Sequence, residues 1–493
     1  MKKKVAIIGG GIAGLSAAIR LISSGNKVTL FEKNTTTGGK ANELRKEGFR
    51  FDTGPSLLTM KFVLEELFES ARINTDDYIK FTSLSTLCKY HYPDGTLINA
   101  YADREKFAGE IEAKTSDKAE SIKKYLRYSK RIYDLTAELF LYKSFKEPST
   151  FMNLRALKTL LNLRSIDAFR TINEANQSFF RDTKTIQLFN RYATYNGSNP
   201  FEAPATLNII PHVECSLGAY LPEKGIYSIT EALTKVAEDL GVSIQYNCNV
   251  EKITHKEKVV KGVRVNGIKE KYDIVVAGSD VNYTYINLFD NLEIKESRKY
   301  KKLTPSSSAV VFYWGVKNYT SPLSTHNIFF SDNYKAEFDD IFKEKRTPRD
   351  PTVYVYISSK TVQGDAPEGG ENWFVMTNAP YSEGQDWLNE IKIQEEVIKK
   401  KISKTLGINI EQHIRFSEVL TPPIIEAQTN SHLGSLYGIS SNNRNAAFLR
   451  QGNRSGYFKN LYFCGGSAHP GGGIPLVLLS GKIACDLIRK DYD

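Results

Sequence analysis

Val5-Ala6-Ile7-Ile8-Gly9-Gly10-Gly11-Ile12-Ala13-Gly14 opens the chain with a short apolar run that breaks into glycines. The run reads as a buried strand, and Leu15 to Ser23 reads as a helix ending near Gly25. Val28 to Phe31 reads as a second strand, closed by Glu32. Each glycine has a separate job in such a turn. Gly9 permits the reversal, Gly11 lets backbone approach a pyrophosphate, and Gly14 lets the helix lie close on the strand. Exposed N–H groups at the helix start, at the positive end of its dipole, hold phosphates. Glu32 follows Gly14 by 18 positions, where a carboxylate can accept from ribose hydroxyls. The combination predicts a Rossmann-like α/β unit with a dinucleotide site; the plain alternative is a glycine-rich helix entry with no ligand.

The 493 residues are 41% hydrophobic and 25% charged, which suits a soluble chain of two or more domains. The net charge of +10 fits an anionic membrane, an acidic ligand or a merely solvated surface. No nucleic-acid motif accompanies it, so nucleic-acid binding is not expected. Cys88, Cys215, Cys248, Cys464 and Cys485 are odd in number and form no CxxC pair, which argues against a disulfide framework or zinc and for a cytoplasmic setting. The histidines are dispersed, and no metal is expected. Lys2-Lys3-Lys4 before Val5–Ile19 resembles a secretory signal, but the strand-turn-helix reading explains it better. No apolar run reaches the ~18 residues of a spanning helix, so any membrane contact would be peripheral.

After Glu32-Lys33, the chain runs through Thr35-Thr36-Thr37 into Gly38-Gly39-Lys40, and later into Phe51-Asp52-Thr53-Gly54-Pro55-Ser56. Far downstream, Pro222 to Tyr227 precedes a helical stretch, Ile229 to Leu240, and a strand, Val242 to Tyr246. Asn249-Val250-Glu251-Lys252-Ile253 follows. Val259 to Val265, the Asn266-Gly267 pair and Ile268 to Tyr272 predict a hairpin, because Asn-Gly suits a type I′ turn. Asp273 to Ala277 reads as a buried strand running into Gly278-Ser279-Asp280. Near the end, the strand Asn460 to Cys464 leads through Gly465 to Ile474-Pro475 into a helix, Leu476 to Ile488. Clustered glycines there let backbone approach a flat ligand. His469 is a tempting acid or base, though it can equally brace the loop.

The Gly-Gly-basic turn at 38–40 and Gly54-Pro55-Ser56 resemble the extended FAD fingerprint of the amine oxidase and phytoene desaturase superfamily. Over nearly the full chain the sequence resembles the bacterial phytoene desaturase-type carotenoid desaturases. Asn196-Gly197-Ser198-Asn199-Pro200-Phe201, Pro222 to Gly225, Val250, Thr421-Pro422, Gly434 to Gly438 and His469-Pro470-Gly471-Gly472-Gly473-Ile474-Pro475 carry the likeness. Ala468 stands where that last signature usually has threonine. Within the family the chain looks most like flavobacterial enzymes acting at the 3,4 position of 1-hydroxylated carotenoids. The resemblance implies bound FAD, a long-chain carotenoid substrate and a peripheral membrane protein. It implies cofactor contacts at Gly9, Gly11, Ala13, Gly14, Glu32, Lys33, Gly39, Lys40, Gly54, Pro55, Ser56, Val250, Asp280, Gly466, Gly473, Ile474 and Pro475. It names no catalytic residue and leaves the oligomeric state open. Phytoene- or lycopene-forming desaturases, carotenoid isomerases or saturases, flavin amine oxidases and non-enzymatic lipid escorts remain alternatives.

On this reading residues 1–70, 221–290 and 450–493 form the FAD-binding domain. Residues 71–220 form a largely helical substrate and membrane-facing region, and residues 291–449 a mixed α+β substrate domain. Strands are expected at Ala309–Val316, Thr352–Ile357 and Trp373–Asn378, flooring an apolar tunnel, with a helix near Asp386–Leu406. Phe151, Leu154, Leu157, Leu160 and Leu161 fall near helical spacing among Arg155, Lys158 and Arg164, after Lys143 and Lys146, which suits an interfacial helix or a core-facing one. Burying forty carbons at ~0.8 kcal/mol each amounts to roughly 30 kcal/mol, so such a substrate must arrive from lipid. Asp182 beside Arg181, or Glu202, is a candidate acceptor for a substrate proton.

Overall fold

The computed structural model describes residues 2–144, 146–147, 163–289, 293–443 and 446–492. The strand Lys4–Ile8 lies at the centre of a five-stranded parallel sheet, in the order Ser243–Gln245, Lys27–Phe31, Lys4–Ile8, Ile274–Ala277, Leu461–Phe463. Val5 pairs with Val28 on one side and Ile274 on the other. Both faces of this sheet are covered, which is why its inner strands are continuous apolar runs. The helices Ile12–Ser23, Tyr227–Asp239 and Ile474–Tyr492 pack on one face through Leu15, Ile19, Leu233, Leu478 and Ile483. A three-stranded antiparallel sheet, Val250–Lys256, Val259–Val265 and Ile268–Lys271, covers the other, with Val260 and Val263 against Ala6 and Val275. Its hairpin turn has φ of 49° at Asn266 and 76° at Gly267, the positive pair that a type I′ turn demands. The C-terminal helix starts at Ile474, earlier than its apolar pattern indicates, because Pro475 fits the first turn, where a missing N–H costs nothing.

A buried ion cluster ties the early and returning segments together. Arg50 Nη2 donates to Asp52 (2.7 Å), Nε to Glu43 (2.8 Å) and Nη1 to Asp365 (3.2 Å). Asp52 in turn accepts from the backbone of Ile226 (3.0 Å) and Tyr227 (2.9 Å) at the entry to the helix Tyr227–Asp239.

The second sheet has seven strands, ordered Ile414–Leu420, Ser308–Lys317, Gly370–Ala379, Val353–Tyr356, His326–Phe329, Thr86–His91, Leu97–Tyr101. Its strands alternate between two environments, as period-two geometry dictates. Val310, Phe312, Trp314, Val353, Val355, Trp373 and Val375 face Ile398 and Ile402 of the helix Trp387–Leu406. Ala309, Val311, Tyr354, Phe374 and Met376 face a cavity instead. Among the described residues of 71–220, Arg104–Phe140 and Leu163–Leu217 are largely helical, but the stretch also sends Thr86–His91 and Leu97–Tyr101 into this sheet. The turn signal between those strands, Pro93-Asp94-Gly95, was there to be read.

The apolar stripe Phe151–Leu161 lies outside the described residues. Of the lysines before it, Lys143 places its carbonyl oxygen 2.9 Å from His469 Nε2. Burial pulls the Lys146 amine down to about 8, with Lys299 adding to the effect. No helix among the described residues is long and apolar enough to cross a membrane.

Candidate functional site

The site begins at the strand end, where Gly9 takes φ +97° and donates its N–H to the Phe31 carbonyl (2.8 Å). Gly11 caps the helix Ile12–Ser23 in extended conformation, and among the described residues no side chain caps its first-turn N–H groups. Those donors are the ones an anion would take. A Cβ on Gly11 would meet the Gly38 carbonyl oxygen at 3.9 Å and no other atom of the described residues within 4 Å, so the space beyond is open. A Cβ on Gly14 would overlap the Gly9 carbonyl oxygen. Gly14 therefore sets the helix-to-strand distance and does not border the cavity.

Glu32 is buried, and backbone donors fix its carboxylate. Gly10 N–H reaches Oε2 at 2.7 Å, and Asn34 N–H reaches Oε1 at 2.9 Å. Lys33 Nζ donates to the Ala427 carbonyl (2.7 Å) and to Asn430 (2.8 Å), tying the acid's loop to the helix Pro422–Thr429 and its end. Lys40 Nζ donates to the carbonyls of Ser435 (3.0 Å) and Leu436 (2.8 Å). Burial lowers its pKa to about 8, against the pull of Asp280. Gly54 lies so close to the Lys40 carbonyl that no side chain fits. Ser56 Oγ and the Tyr354 hydroxyl are 2.6 Å apart.

From the opposite side, Gly278 N–H bonds to the Ile8 carbonyl (2.8 Å), and Asp280 caps the helix Val281–Asn287 by accepting from Asn282 N–H (2.8 Å) and Tyr283 N–H (3.2 Å). The C-terminal loop brings Gly466 and Gly473 to the wall and starts the helix Ile474–Tyr492 there. Arg450, which sequence reasoning missed, clips this loop: Nη1 donates to the carbonyls of Gly466 (2.6 Å) and Tyr437 (2.8 Å).

These segments border one cavity of about 500 Å³, in the range of small-molecule sites. Gly9, Gly11, Ala13, Glu32, Lys33, Gly39, Lys40, Gly54, Pro55, Ser56, Val250, Asp280, Gly466, Gly473, Ile474 and Pro475 all line it. The same cavity runs on along the seven-stranded sheet, past Ala309, Val311, Ile328, Phe374 and Met376. A glycine-walled cradle at two helix N-termini, with a fixed carboxylate at its edge, fits a dinucleotide such as FAD; the apolar extension fits a long hydrocarbon.

One corner of the extension is polar. Arg191 Nε donates to Tyr90 (2.7 Å), and Nη2 donates to Glu214 Oε1 (2.9 Å). Tyr192 donates to the same oxygen (2.8 Å), and Tyr195 makes a short hydrogen bond to Oε2. Burial works against the Arg191 charge, but Tyr90, Glu214 and Tyr195 hold its pKa well above the ordinary value. His326 Nδ1 meets the Tyr354 hydroxyl at 2.7 Å, and burial together with nearby Arg191 drops its pKa to about 3. These partners are 19 or more residues apart, so spacing alone could not have joined them.

The candidate acids and base lie elsewhere. Asp182 caps the helix Thr183–Asn190, accepting from Lys184 N–H and Ser116 N–H (2.9 Å each), and does not border the cavity. Burial pushes its pKa up, but those donors outweigh burial and hold it below the usual value. Glu202 is exposed, away from the cavity. His469 donates its backbone N–H to Gln451 (2.8 Å), and burial pulls its imidazole down to about 4. It braces the loop and does not line the cavity.

Residues 12–489 match the family model for flavin containing amine oxidoreductases. The chain is 44% identical over 489 residues, 99% of each chain, to a 1-hydroxycarotenoid 3,4-desaturase of Flavobacterium sp.. It is 32% identical over 493 residues, 99% of this chain and 98% of the other, to a 4,4'-diaponeurosporene oxygenase of Staphylococcus aureus. An oxidoreductase from Methanosarcina mazei shares the fold at TM-score 0.65 and 16% identity, over 99% of this chain and 100% of that one.

Proposed function

This chain belongs to the flavin containing amine oxidoreductase family and is an FAD-dependent oxidoreductase, and on that premise we propose that it desaturates a carotenoid at the 3,4 position of a 1-hydroxylated acyclic or monocyclic C40 polyene. The end-to-end likeness to the hydroxycarotenoid desaturase carries this reading. The continuous cavity supports it, joining the nucleotide cradle to an apolar wall. Residues 1–70, 221–290 and 450–493 would hold the cofactor, and the insertions between them would hold the polyene.

The first-turn N–H groups of the helix Ile12–Ser23, with Gly9 and Gly11, would bind the pyrophosphate, and Glu32 a ribose. Val250 would lie against the adenine, and Gly54-Pro55-Ser56 with Gly473 against the ring. When bound, FAD supplies the two-electron acceptor for hydride removed from an allylic carbon. The protein's own work is placement and dryness. Val311, Phe374 and Met376 exclude water and align the chain, so the reacting carbons are held in one geometry. Of the carboxylates that line the cavity, Glu32 is bound by backbone, Asp280 caps a helix and Glu214 takes three donors. None is a free base. The polyene itself spreads the positive charge, and the neighbouring proton then passes to solvent water.

The test is an anaerobic single turnover on vesicles carrying the hydroxylated polyene. The expected product has lost two hydrogens while the flavin absorbance bleaches; conversion without bleaching refutes hydride transfer. A second reading, oxidation of a terminal carbon, draws on the likeness to the staphylococcal oxygenase. A product that has gained oxygen would favour it. The substrate's insolubility supports peripheral attachment to a membrane surface, tested by flotation with phospholipid vesicles.

A further inference from the structure

Arg191 is 7% exposed and still borders the cavity. A guanidinium has five donors. One is used on Tyr90 and one on Glu214, and the Tyr195 oxygen stands close enough to take a third. Among the described residues its remaining N–H groups meet no further oxygen acceptor, and the guanidinium lies over the Tyr192 ring at 4.3 Å. Leaving buried charged donors unpaired is costly, and an oxygen atom on the occupant of the cavity relieves it. Glu214 lines the cavity too, and among the described residues its Oε2 accepts from Tyr195 alone. A carboxylate oxygen accepts more than one, so this corner offers both donors and an acceptor to one small group. A hydroxyl is the group that uses both.

The corner is also in the right place. Ser56, on the loop that resembles the family's ring-side segment, meets Tyr354 (2.6 Å), and Tyr354 meets His326 (2.7 Å), which is within the field of Arg191. In a 1-hydroxylated polyene desaturated at carbons 3 and 4, the oxygen-bearing carbon is two bonds from the nearer reacting carbon. Its hydroxyl must therefore sit beside the ring-side loop and not at the far end of the tunnel.

We infer that Arg191, with Glu214, binds the terminal hydroxyl of the polyene and thereby selects an oxygenated end and sets which carbon–carbon bond reacts. This rests on the desaturase reading. A hydrocarbon end would put methyl groups against the unpaired donors, and sites built for a hydroxyl discriminate strongly against analogues lacking it.

The test uses FAD-loaded protein on phosphatidylcholine vesicles carrying either an acyclic C40 hydrocarbon polyene or its 1-hydroxylated derivative. Two quantities are read, pigment bound per protein and anaerobic conversion by product mass. Arg191→Gln with Glu214→Gln removes the pair together and leaves no lone buried charge. Its hydroxylated-to-hydrocarbon ratio should fall at least tenfold in both quantities. Arg191→Lys keeps the charge but loses the planar fork, and its ratio should fall at least threefold; it decides the matter if the double variant does not fold. An unchanged ratio, or equal loss on both polyenes, overturns the role of Arg191. Wild-type protein that converts neither polyene instead refutes the desaturase reading, and the bound-pigment ratio still judges Arg191.

Discussion

Gly11 and Gly14 stand three positions apart, yet alanine at each should fail in a different way. Gly11 has φ −69° and ψ 169°, which alanine adopts freely, and its added methyl would meet only the Gly38 oxygen at 3.9 Å. The protein alone should tolerate Gly11→Ala and gain about 0.4–1 kcal/mol from a less flexible unfolded chain. The methyl would occupy the space proposed for the pyrophosphate. Losing one or two charge-assisted hydrogen bonds there, at about 1.5–3 kcal/mol each, should weaken FAD binding roughly a hundredfold. At Gly14 the methyl overlaps the Gly9 carbonyl oxygen, with the carbonyl carbon at 3.3 Å and Ile7 Cγ2 at 3.5 Å. The helix must back away, at an overpacking cost of about 1–3 kcal/mol in the flavin-free protein. Thermal unfolding of the apo-proteins and flavin-fluorescence titration separate the two. Gly11→Ala protein that binds FAD with wild-type affinity would refute the assignment of this turn to the phosphates.

Lys40 has its pKa lowered to about 8, and an anionic cofactor favours its cation, so FAD affinity should be level below pH 7 and fall as pH rises through 8; Lys40→Met should flatten a titration series across that range. Asp52→Ala removes one of three carboxylates from Arg50 and leaves two backbone donors unpaired, and chemical denaturation should show a loss of about 1–3 kcal/mol for each donor. His326 and His469 have pKa values lowered to about 3 and about 4, so both stay neutral from pH 5 to 8. The turnover rate on vesicles should then show no histidine step in that window, and an inflection near pH 6.5 would contradict the placement of both rings.

The nucleotide half was legible because its chemistry is local. Gly9, Gly11, Gly14 and Glu32 act within one strand-turn-helix-strand unit, and the Asn266-Gly267 hairpin is fixed by its two turn residues. The Arg191–Glu214 corner was not legible, since its members come from separate helical segments that meet only after the chain has folded around the sheet. Asp182 misled for a related reason. An acid beside an arginine reads as reactive, but Asp182 precedes Thr183-Lys184-Thr185 and spends its oxygens on the backbone N–H groups of Lys184 and Ser116. The strand Thr86–His91 carried a local signal in its hairpin with Leu97–Tyr101, but its place in the sheet was hidden because its other partner, His326–Phe329, lies more than two hundred residues away.

That parallel pairing joins the two long insertions into a single wall. Exchanging one insertion with a relative's would break backbone pairing at Asn327–Lys89, Ile328–Tyr90 and Phe329–His91, whatever the match of side chains. Engineers who wish to graft a new pigment preference onto this scaffold should therefore transplant both excursions of the chain as one inseparable block, or confine themselves to point changes on the inward-facing rows.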